Sequence, residues 1–229
     1  RKIKKYLYLK NISSKIFLVD KKYVVKKNMS EARKNRFNKL INYCINKKIL
    51  HLFLAHHGDD NIETFLLRKI AGSNIEGLRS IHSKVNLNGV QVLRPLLDFN
   101  KKEILNYNKT HSIFFVNDPS NLDLKYSRVI VRKFLKENDK FKRVIYKDFN
   151  LIKFYYPYYK KMIFQKFIQS NIKISNKAIL LDAIKFFNFD QEIQIKIIEI
   201  VYKFLKPKRE LLRYSKIIKS LEILNQKVE

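Results

Sequence analysis

The sequence predicts an α/β fold, an open parallel sheet with flanking helices, followed by a smaller helical region. β-Leaning apolar runs alternate with amphipathic helical runs through the first half of the chain, and only helical patterns follow them. We place the two regions at residues 1–139 and 140–229. With 229 residues and 46% hydrophobic side chains, the chain can bury a core in one large or two small domains.

The first elements are predicted from apolar runs and from the residues that can begin a helix. Residues 16–20 form a short β-leaning run, and residues 28–47 form an amphipathic helix that Asn28 or Ser30 can cap. Residues 49–55 are almost wholly apolar, as in a strand that is covered on both faces. This run is therefore predicted to be an inner strand of the parallel sheet.

The next helix is predicted at about residues 60–71, and both of its ends carry signals. Asp60 and Glu63 form a variant of the capping box, and Gly72 can adopt the left-handed conformation after the last turn. The remaining predicted elements are a strand at residues 90–93, a helix at 100–111 that begins with a capping box of Asn100 and Glu103, a β-leaning run at 113–116, a loop at 117–121, and helices at about 126–138, 150–169, 191–205 and 209–228.

The formal net charge is +29, from 49 Lys and Arg against 20 Asp and Glu. A protein this basic usually binds a polyanion, and nucleic acid is the first candidate. Codon bias is the alternative source of the charge, because the dominant residue types Lys, Asn, Ile, Tyr and Phe have AT-rich codons. The charge therefore favours a polyanion partner without identifying it.

Cysteine content and hydropathy exclude several classes of protein. The single cysteine, Cys44, excludes an intramolecular disulfide and a multi-cysteine metal site, and its helical apolar pattern predicts that it is buried. No apolar stretch approaches the ~18 residues that a membrane span needs. The apolar run after the basic residues 1–5 is too short for a signal peptide. We therefore expect a cytoplasmic protein without membrane association.

The most informative segment is residues 56–64, His-His-Gly-Asp-Asp-Asn-Ile-Glu-Thr, which directly follows the apolar run. Open α/β sheets bind ligands at the carboxyl ends of their strands, so polar residues here are candidates for a site. Adjacent carboxylates can hold a metal–phosphate complex or accept protons from an amine. A structural interpretation stays open beside it, because Asp60 and Glu63 are also good capping residues and His56 can simply end a strand.

Residues 54–81 resemble the core signature of the bacterial tRNA(Ile)-lysidine synthetases, members of the ATP-pyrophosphatase or PP-loop superfamily. That signature runs His-His-x-Asp-Asp-x-x-Glu-Thr, then a helix, then Arg-Gly-Ser-Gly and Gly-Leu. The resemblance covers about residues 28–137 and implies an adenine nucleotide alpha hydrolase-like fold. The flanking segments that agree in order and spacing are Ala-Arg-Lys-Asn-Arg-Phe at 32–37, Arg-Pro-Leu-Leu at 94–97, Asn-Asp-Pro-Ser-Asn at 117–121, and Tyr-Ser-Arg at 126–128 with Arg132 four residues later.

The sequence also departs from the family pattern. The loop Ser-Gly-Gly-x-Asp-Ser, whose backbone amides hold the pyrophosphate of ATP, does not occur in it. Ala71 and Asn74 replace the Arg and the second Gly of Arg-Gly-Ser-Gly, and Val129 replaces an Asn. Because the chain starts at Arg1, beyond the family's position for that loop, we expect the 229 residues as given to bind tRNA without catalysing the reaction.

The resemblance implies a two-step reaction with ATP as co-substrate and Mg²⁺ as cofactor. ATP adenylates the carbonyl oxygen at C2 of the wobble cytidine of tRNA(Ile) with a CAU anticodon and releases pyrophosphate, and the amine of free L-lysine then displaces AMP to give lysidine. Residues 153–161, Lys-Phe-Tyr-Tyr-Pro-Tyr-Tyr-Lys-Lys, are a candidate tRNA contact, with an ordinary amphipathic helix broken at Pro157 as the alternative. The motifs place catalytic roles on Asp60, His56, Asp59 and Arg128, substrate or ATP binding on Arg33, Arg36, Glu63 and Arg132, and a possible metal ligand at Asp59 or Asp60.

Two other interpretations stay open. A tRNA thiolase of the same superfamily is disfavoured because such sulfur-transfer enzymes often use paired cysteines, and this chain has only Cys44. A non-catalytic RNA-binding remnant fits the charge and the missing glycine loop. Lysine transfer to tRNA distinguishes both from the first interpretation.

Overall fold

A computed structural model of the chain describes residues 2–18, 29–116, 123–207 and 214–226. They belong to two compact units, Arg1–Ile152 and Lys153–Glu229. None of the helices in the described ranges combines the length and the apolar character that a membrane crossing requires. The elements are Lys2–Leu9 (α1), Met29–Asn46 (α2), His51–Phe53 (β1), Gly58–Ile70 (α3), Ile75–Leu78 (α4), Lys84–Leu87 (β2), Val90–Leu93 (β3), Lys101–Thr110 (α5), Ser127–Glu137 (α6), Asp139–Ser170 (α7), Asn171–Ile174 (β4), Ile179–Leu181 (β5), Ala183–Phe187 (α8), Gln191–Leu205 (α9) and Tyr214–Asn225 (α10), with a 3-10 helix at Pro95–Asp98.

The first unit contains a small mixed sheet in the order β1-β3-β2. β1 and β3 are parallel, with Leu52 opposite Val92, whereas β2 and β3 are antiparallel. The α/β class is therefore confirmed, and the parallel pairing holds for β1 and β3. The sheet is mixed and not wholly parallel, because a tight turn connects β2 to β3 and so reverses the chain direction.

The β2–β3 hairpin contains a strand that the apolar pattern did not predict. Asn88 and Gly89 form its turn, and both have positive φ angles, 50° and 86°. Asn-Gly between two short alternating runs is the strongest local signal for such a turn, because both turn positions need the left-handed conformation. The sequence therefore contained the information for β2, although the strand itself is short and half exposed.

The apolar run at residues 49–55 forms only the three-residue strand β1, which lies at an edge of the described sheet. The prediction of an inner strand is wrong for the sheet that the described residues form. Phe53 is 65% exposed, whereas Leu52 and Leu54 pack against the core of the buried Val92 and Cys44. Side chains of a strand alternate between faces, and here α2 covers only one face, so the outward residues stay exposed. The predicted burial of Cys44 is confirmed.

Two predicted β-leaning runs do not form strands in the described parts of the chain. Residues 16–18 and 113–116 have no regular structure, and residues 19 and 20 lie outside the description. Phe114 packs its ring against Tyr6 of α1 at a centroid distance of 5.6 Å. Apolar character alone predicted these runs, but neither has a strand neighbour in the described sheet. The predicted loop at residues 117–121 also lies outside the described residues.

Local capping residues determine the ends of α3 and α5. The carboxylate of Asp60 accepts the backbone N–H of His57 at 3.1 Å, so the helix α3 begins earlier than predicted. The prediction of an Asp60–Glu63 capping box is wrong, because the next helical turn already contains Glu63. Gly72 follows the helix with φ +66°, as predicted. The predicted box of Asn100 and Glu103 at the start of α5 is confirmed, since each side chain accepts the other's backbone N–H.

The main core of the first unit joins α3 to α6 and to the first part of α7. Ile62, Phe65 and Leu66 of α3 contribute one wall, and Phe65 packs edge-on against Phe149 at 5.4 Å. Full burial of side chains this large stabilises the packing by about 1.5–3 kcal/mol each. The core therefore holds the polar first turns of α3 against α6. The remaining buried members are Val131, Leu135 and Ile145.

The second unit contains the predicted helices and also a two-stranded antiparallel sheet of β4 and β5 that was not predicted. Its buried core consists of Phe167, Phe186, Ile195, Ile197, Ile217 and Leu221. Helix α7 continues through Pro157 without a break, so the alternative of a helix broken at this proline is wrong. The predicted domain boundary at 139/140 lies inside the first compact unit and stays a prediction.

Candidate active site

His56 and Arg33 form the first contact of the candidate site. Arg33 of α2 donates a hydrogen bond from Nη2 to Nε2 of His56 at 2.9 Å, three residues beyond the end of β1. Burial, and then the positive charge of Arg33, lower the pKa of His56 to about 4. The imidazole is therefore neutral at pH 7, with Nε2 as the acceptor and its proton on Nδ1. The buried Nδ1 has no hydrogen-bond partner among the described residues.

Several arginines surround this pair. Burial lowers the pKa of Arg33, and repulsion from Arg128 and Arg36 lowers it further. Arg94, directly after β3, has its pKa lowered by burial and donates to the carbonyl of His82 at 2.8 Å. Because β1 and β3 are parallel, His56 and Arg94 both follow the carboxyl ends of neighbouring strands. Cations that repel one another at this place favour the binding of an anion.

A pocket of about 200 Å³ adjoins the His56–Arg33 pair. Its lining combines two guanidinium groups and an imidazole with aliphatic and aromatic side chains. Such a lining suits a ligand with an anionic group and an apolar or planar part. The lining residues are Arg33, Arg36, Phe37, Leu40, Leu54, Ala55 and His56.

Asp60 lies in the first turn of α3 with one carboxylate oxygen committed to the backbone. Its Oδ2 accepts the N–H of His57, and its Oδ1 lies 3.9 Å from Nη2 of Arg132. Oδ1 has only the longer ion pair to Arg132 among the described contacts.

Two arginines of α6 bind the next turn of α3. Arg132 donates hydrogen bonds to both carboxylate oxygens of Glu63, at 2.6 and 3.0 Å. Hydrogen bonding to Glu63 is the main reason why the pKa of Arg132 is raised. Arg128 donates to the hydroxyl of Thr64 at 3.1 Å, and that hydroxyl donates to the backbone carbonyl of Asp60 at 2.7 Å. Since Arg128 and Arg132 are four residues apart on one helix, both face α3.

Asp59 is positioned differently from its neighbour Asp60. It accepts hydrogen bonds from the backbone N–H of Lys101 at 2.7 Å and from the hydroxyl of Tyr146 at 3.2 Å. Lys142 adds an ion pair at 3.6 Å. Burial alone would raise the pKa of Asp59, but the Lys101 hydrogen bond and the charge of Lys142 outweigh it, so the pKa is lowered. Asp59 therefore connects α3 to α5 and α7.

The structure brings most of the predicted site residues together. Arg33, His56, Asp60, Arg128 and Arg132 surround the start of α3, and Arg36 lines the adjacent pocket. Asp59 and Glu63 are occupied by contacts within the protein, so the roles that we predicted for them stay predictions. The prediction missed Thr64 as the partner of Arg128 and Tyr146 as the partner of Asp59. It also missed Arg94 as a site residue, although Arg94 directly follows a predicted strand and this position could have indicated its place in the site.

The acidic residues of the site do not form a complete set of metal ligands. In the part of the chain that the structure describes, no group of three His, Cys, Asp or Glu residues can hold a metal ion. Oδ1 of Asp60 has, among the described contacts, only the 3.9 Å ion pair to Arg132. Among the described residues, the side chains of this site therefore do not by themselves provide a full set of ligands for a metal ion.

The loop after α3 accommodates one departure from the family pattern through a hydrogen bond of its own. Asn74 caps the short helix α4 by accepting the N–H of Gly77 at 3.0 Å. Arg68 donates to the carbonyls of Gly77 and Ser80, and Asn61 accepts the N–H of Ile81 at 2.8 Å. At the position where the family pattern has its second Gly, Asn74 therefore stabilises this loop through a side-chain hydrogen bond.

The fold and the site define an α/β protein with a cationic cluster at the carboxyl ends of two parallel strands, the position at which such proteins bind phosphate-bearing ligands. A profile described as the PP-loop domain matches residues 3–138, and the chain belongs to this family.

Curated relatives agree with the predicted resemblance. The tRNA(Ile)-lysidine synthase of Wolbachia pipientis wMel is 46% identical over 109 residues, which are 48% of this chain and 25% of that protein. The tRNA(Ile)-lysidine synthase of Rickettsia bellii (strain OSU 85-389) is 31% identical over 202 residues, 86% of this chain and 46% of that protein. The chain thus spans less than half the length of these relatives. The resemblance that the motifs predicted is confirmed.

Proposed function

We propose that this chain carries the proton-accepting carboxylate and phosphate-binding arginines of a tRNA(Ile)-lysidine synthetase. In the first step the C2 oxygen of the wobble cytidine in a CAU anticodon attacks the α-phosphate of ATP and pyrophosphate leaves. In the second step the neutral amine of free L-lysine attacks C2, AMP leaves with that oxygen, and the amine loses a proton. The names of the relatives support this reaction.

The observation that carries the proposal is the meeting of three separate motifs around the start of helix α3. Arg33 of the motif at 32–37 meets His56, and the motif at 126–132 meets Thr64 and Glu63. These segments are far apart in sequence, and each contributes a charged group to the same surroundings. Ordinary helix capping accounts for Asp60 but does not require arginines from two other helices.

The arginines are proposed to bind the phosphates of ATP and of the leaving AMP. Arg33 is partly desolvated and repelled by Arg36 and Arg128, which makes the cluster costly without a counter-anion. A phosphate removes this repulsion, and charge that develops on its oxygens in the transition state is stabilised most in such a partly desolvated place. ATP is therefore the proposed co-substrate, and Mg²⁺ is proposed to enter with its phosphates.

Asp60 is the residue proposed to accept the proton of the lysine amine. Its Oδ1 is open apart from the 3.9 Å contact to Arg132, whereas Asp59 is held by Lys101 and Tyr146. A carboxylate placed this way accelerates proton transfer by about 10²–10⁴-fold. His56, neutral at pH 7, is proposed to orient Arg33 rather than to donate a proton.

The experiment is lysine incorporation by the protein expressed from its complete reading frame. The substrates are a tRNA(Ile) transcript with a CAU anticodon, ATP and labelled lysine, and the matched control transcript has a UAU anticodon. We expect incorporation into the CAU transcript alone, with one AMP and one pyrophosphate released for each lysine. We further propose a cytoplasmic location, where tRNA, ATP and free lysine are all present.

A second arm uses the 229 residues as given. We expect this chain to retain tRNA in a filter assay without incorporating lysine, because the glycine loop that holds pyrophosphate is not among its residues. Incorporation by this shorter chain would show that the loop is dispensable. A complete protein that binds the transcript and never transfers lysine would favour the RNA-binding remnant.

A further inference from the structure

An exposed aromatic stripe lies on the part of α7 that belongs to the second unit. We define it as Phe154, Tyr155 and Tyr158, whose exposed fractions are 61%, 56% and 62%. The rings contact one another, with Phe154 at 5.1 Å from Tyr155 and 5.8 Å from Tyr158 between centroids. Exposing three neighbouring rings to water is unfavourable, so a ligand that covers their faces gains binding free energy.

The stripe is not a displaced part of the core. The buried positions of this stretch of α7 are Ile163, Phe167 and Ser170. At about 100° per residue, Phe154 and Ile163 lie on opposite faces of the helix. Other residues therefore already provide the side of the helix that packs in the second unit, and the stripe is left facing solvent.

The charge of the segment that carries the stripe is entirely positive. Residues 153–161 contain three lysines and no acidic residue, and Lys160 and Lys161 are exposed. Flat π faces next to lysines are the combination that binds single-stranded nucleic acid, because bases stack on the rings while phosphates contact the ammonium groups. An apolar protein partner would contact the rings but would offer no negative charge to the ammonium groups of Lys160 and Lys161.

The geometry points to the aromatic stripe as a binding surface for unpaired nucleotides of an RNA, with Lys160 and Lys161 on the neighbouring phosphates. Bases inside a duplex cannot offer their faces, so the ligand must be a loop or a single-stranded end. The inference rests on the proposed function for its identification of that RNA as part of a tRNA. The stacking itself needs neither ATP nor lysine.

Fluorescence anisotropy with the whole chain tests this surface. The probe is a fluorescein-labelled, unstructured RNA of 12 nucleotides, and the comparison is the same strand annealed to its complement. We expect the single strand to bind more tightly than the duplex. Phe154→Ala and Tyr158→Ala should each raise its Kd by about tenfold, the effect of losing one stacked base.

Three control variants separate base stacking from contact with an apolar partner. Phe204→Ala removes a similarly exposed ring on α9, 52% exposed, and should leave the Kd unchanged. Tyr158→Phe keeps the ring and should retain affinity. Tyr158→Leu keeps apolar bulk without a π face and should behave like the alanine variant, whereas a protein-docking or lipid-binding surface would tolerate leucine. Thermal unfolding midpoints should be unchanged throughout, because these side chains are exposed.

The result that overturns the inference is equal binding of duplex and single strand, or wild-type Kd values in Phe154→Ala and Tyr158→Ala. Tolerance of Tyr158→Leu together with loss in Tyr158→Ala would also overturn it and would assign the stripe to an apolar partner. Lysine transfer is measured separately. Stacking without lysine transfer would contradict only the proposed function, and lysine transfer with unaffected oligonucleotide binding would contradict only the stripe.

Discussion

The charged groups at the start of α3 in the first unit contact other protein groups, whereas the lysines next to the aromatic stripe in the second unit are exposed. Glu63 is 2% exposed and binds Arg132 through two hydrogen bonds, while Lys160 and Lys161 are exposed. Groups that are desolvated and oriented in advance can act on a reaction, because they need no reorganisation when charge develops. Exposed lysines contribute attraction that salt screens. We therefore propose chemistry for the site of the first unit and a salt-sensitive polyanion contact for the exposed lysines of the second.

The largest expected effect is loss of lysine transfer in Asp60→Asn. Asparagine can still accept the N–H of His57, so α3 keeps its cap, but it cannot accept a proton from the amine. We expect the rate of lysine incorporation by the complete protein to fall by about 10²–10⁴-fold, with tRNA retention on a filter unchanged. Asp59→Asn is the matched control and should lose far less activity. Equal losses in the two variants would break the distinction between the adjacent carboxylates.

The second prediction compares two ion pairs that involve the same helix. Glu63→Gln leaves Arg132 partly buried with only the longer ion pair to Asp60, and we expect the free energy of unfolding to fall by about 1–3 kcal/mol. Glu137→Gln removes the exposed pair with Lys133, 59% exposed on both sides, and should change stability by less than about 0.5 kcal/mol. Urea denaturation of both variants provides the measurement. Similar values for the two would mean that burial does not strengthen the Glu63–Arg132 pair.

The third prediction concerns pH. The pKa of His56 in the folded protein is about 4, below its ordinary value of 6.5. Between pH 4 and pH 6.5 the unfolded state therefore binds more protons than the folded state does. His56 therefore contributes stability that is fully present above about pH 6.5 and is lost as the pH falls toward 4. We expect the stability of the wild type to fall over this range more steeply than that of His56→Gln, measured by urea midpoints at each pH. Parallel slopes would show that His56 is not held neutral by Arg33 and burial.

The smallest expected effect is in the second unit. Removing both charges in Lys160→Gln/Lys161→Gln should weaken binding of the single-stranded probe only modestly in low salt. The slope of log affinity against log salt should decrease by about 0.7 for each lost phosphate contact. Titrations at several salt concentrations measure that slope. An unchanged slope would mean that the phosphates of the probe do not contact Lys160 and Lys161. The aromatic rings would then be the remaining contact of the stripe with the probe.

Local sequence signals predicted most of the longer helices, but not α1, α4 or α8, and α7 begins at Asp139 and not at the predicted residue 150. Gly72 adopts the predicted left-handed conformation, and Asn100 with Glu103 forms the predicted box, because each depends on residues within one turn. Short strands were predicted poorly. The runs at 16–20 and 113–116 have β propensity, but a strand needs a partner that lies far away in the chain. The Asn88–Gly89 turn was the overlooked local signal for β2.

The sequence by itself determined the α/β class, the family and the candidate set of charged residues, because these depend on composition, periodicity and motif order. Only the tertiary structure decided which protein groups contact each member of the pair Asp59 and Asp60. Neighbours on a helix point about 100° apart, so one carboxylate meets Lys101 and Tyr146 while the other faces Arg132. No local pattern specifies this choice, since it follows from how α5, α6 and α7 pack around the first turn of α3.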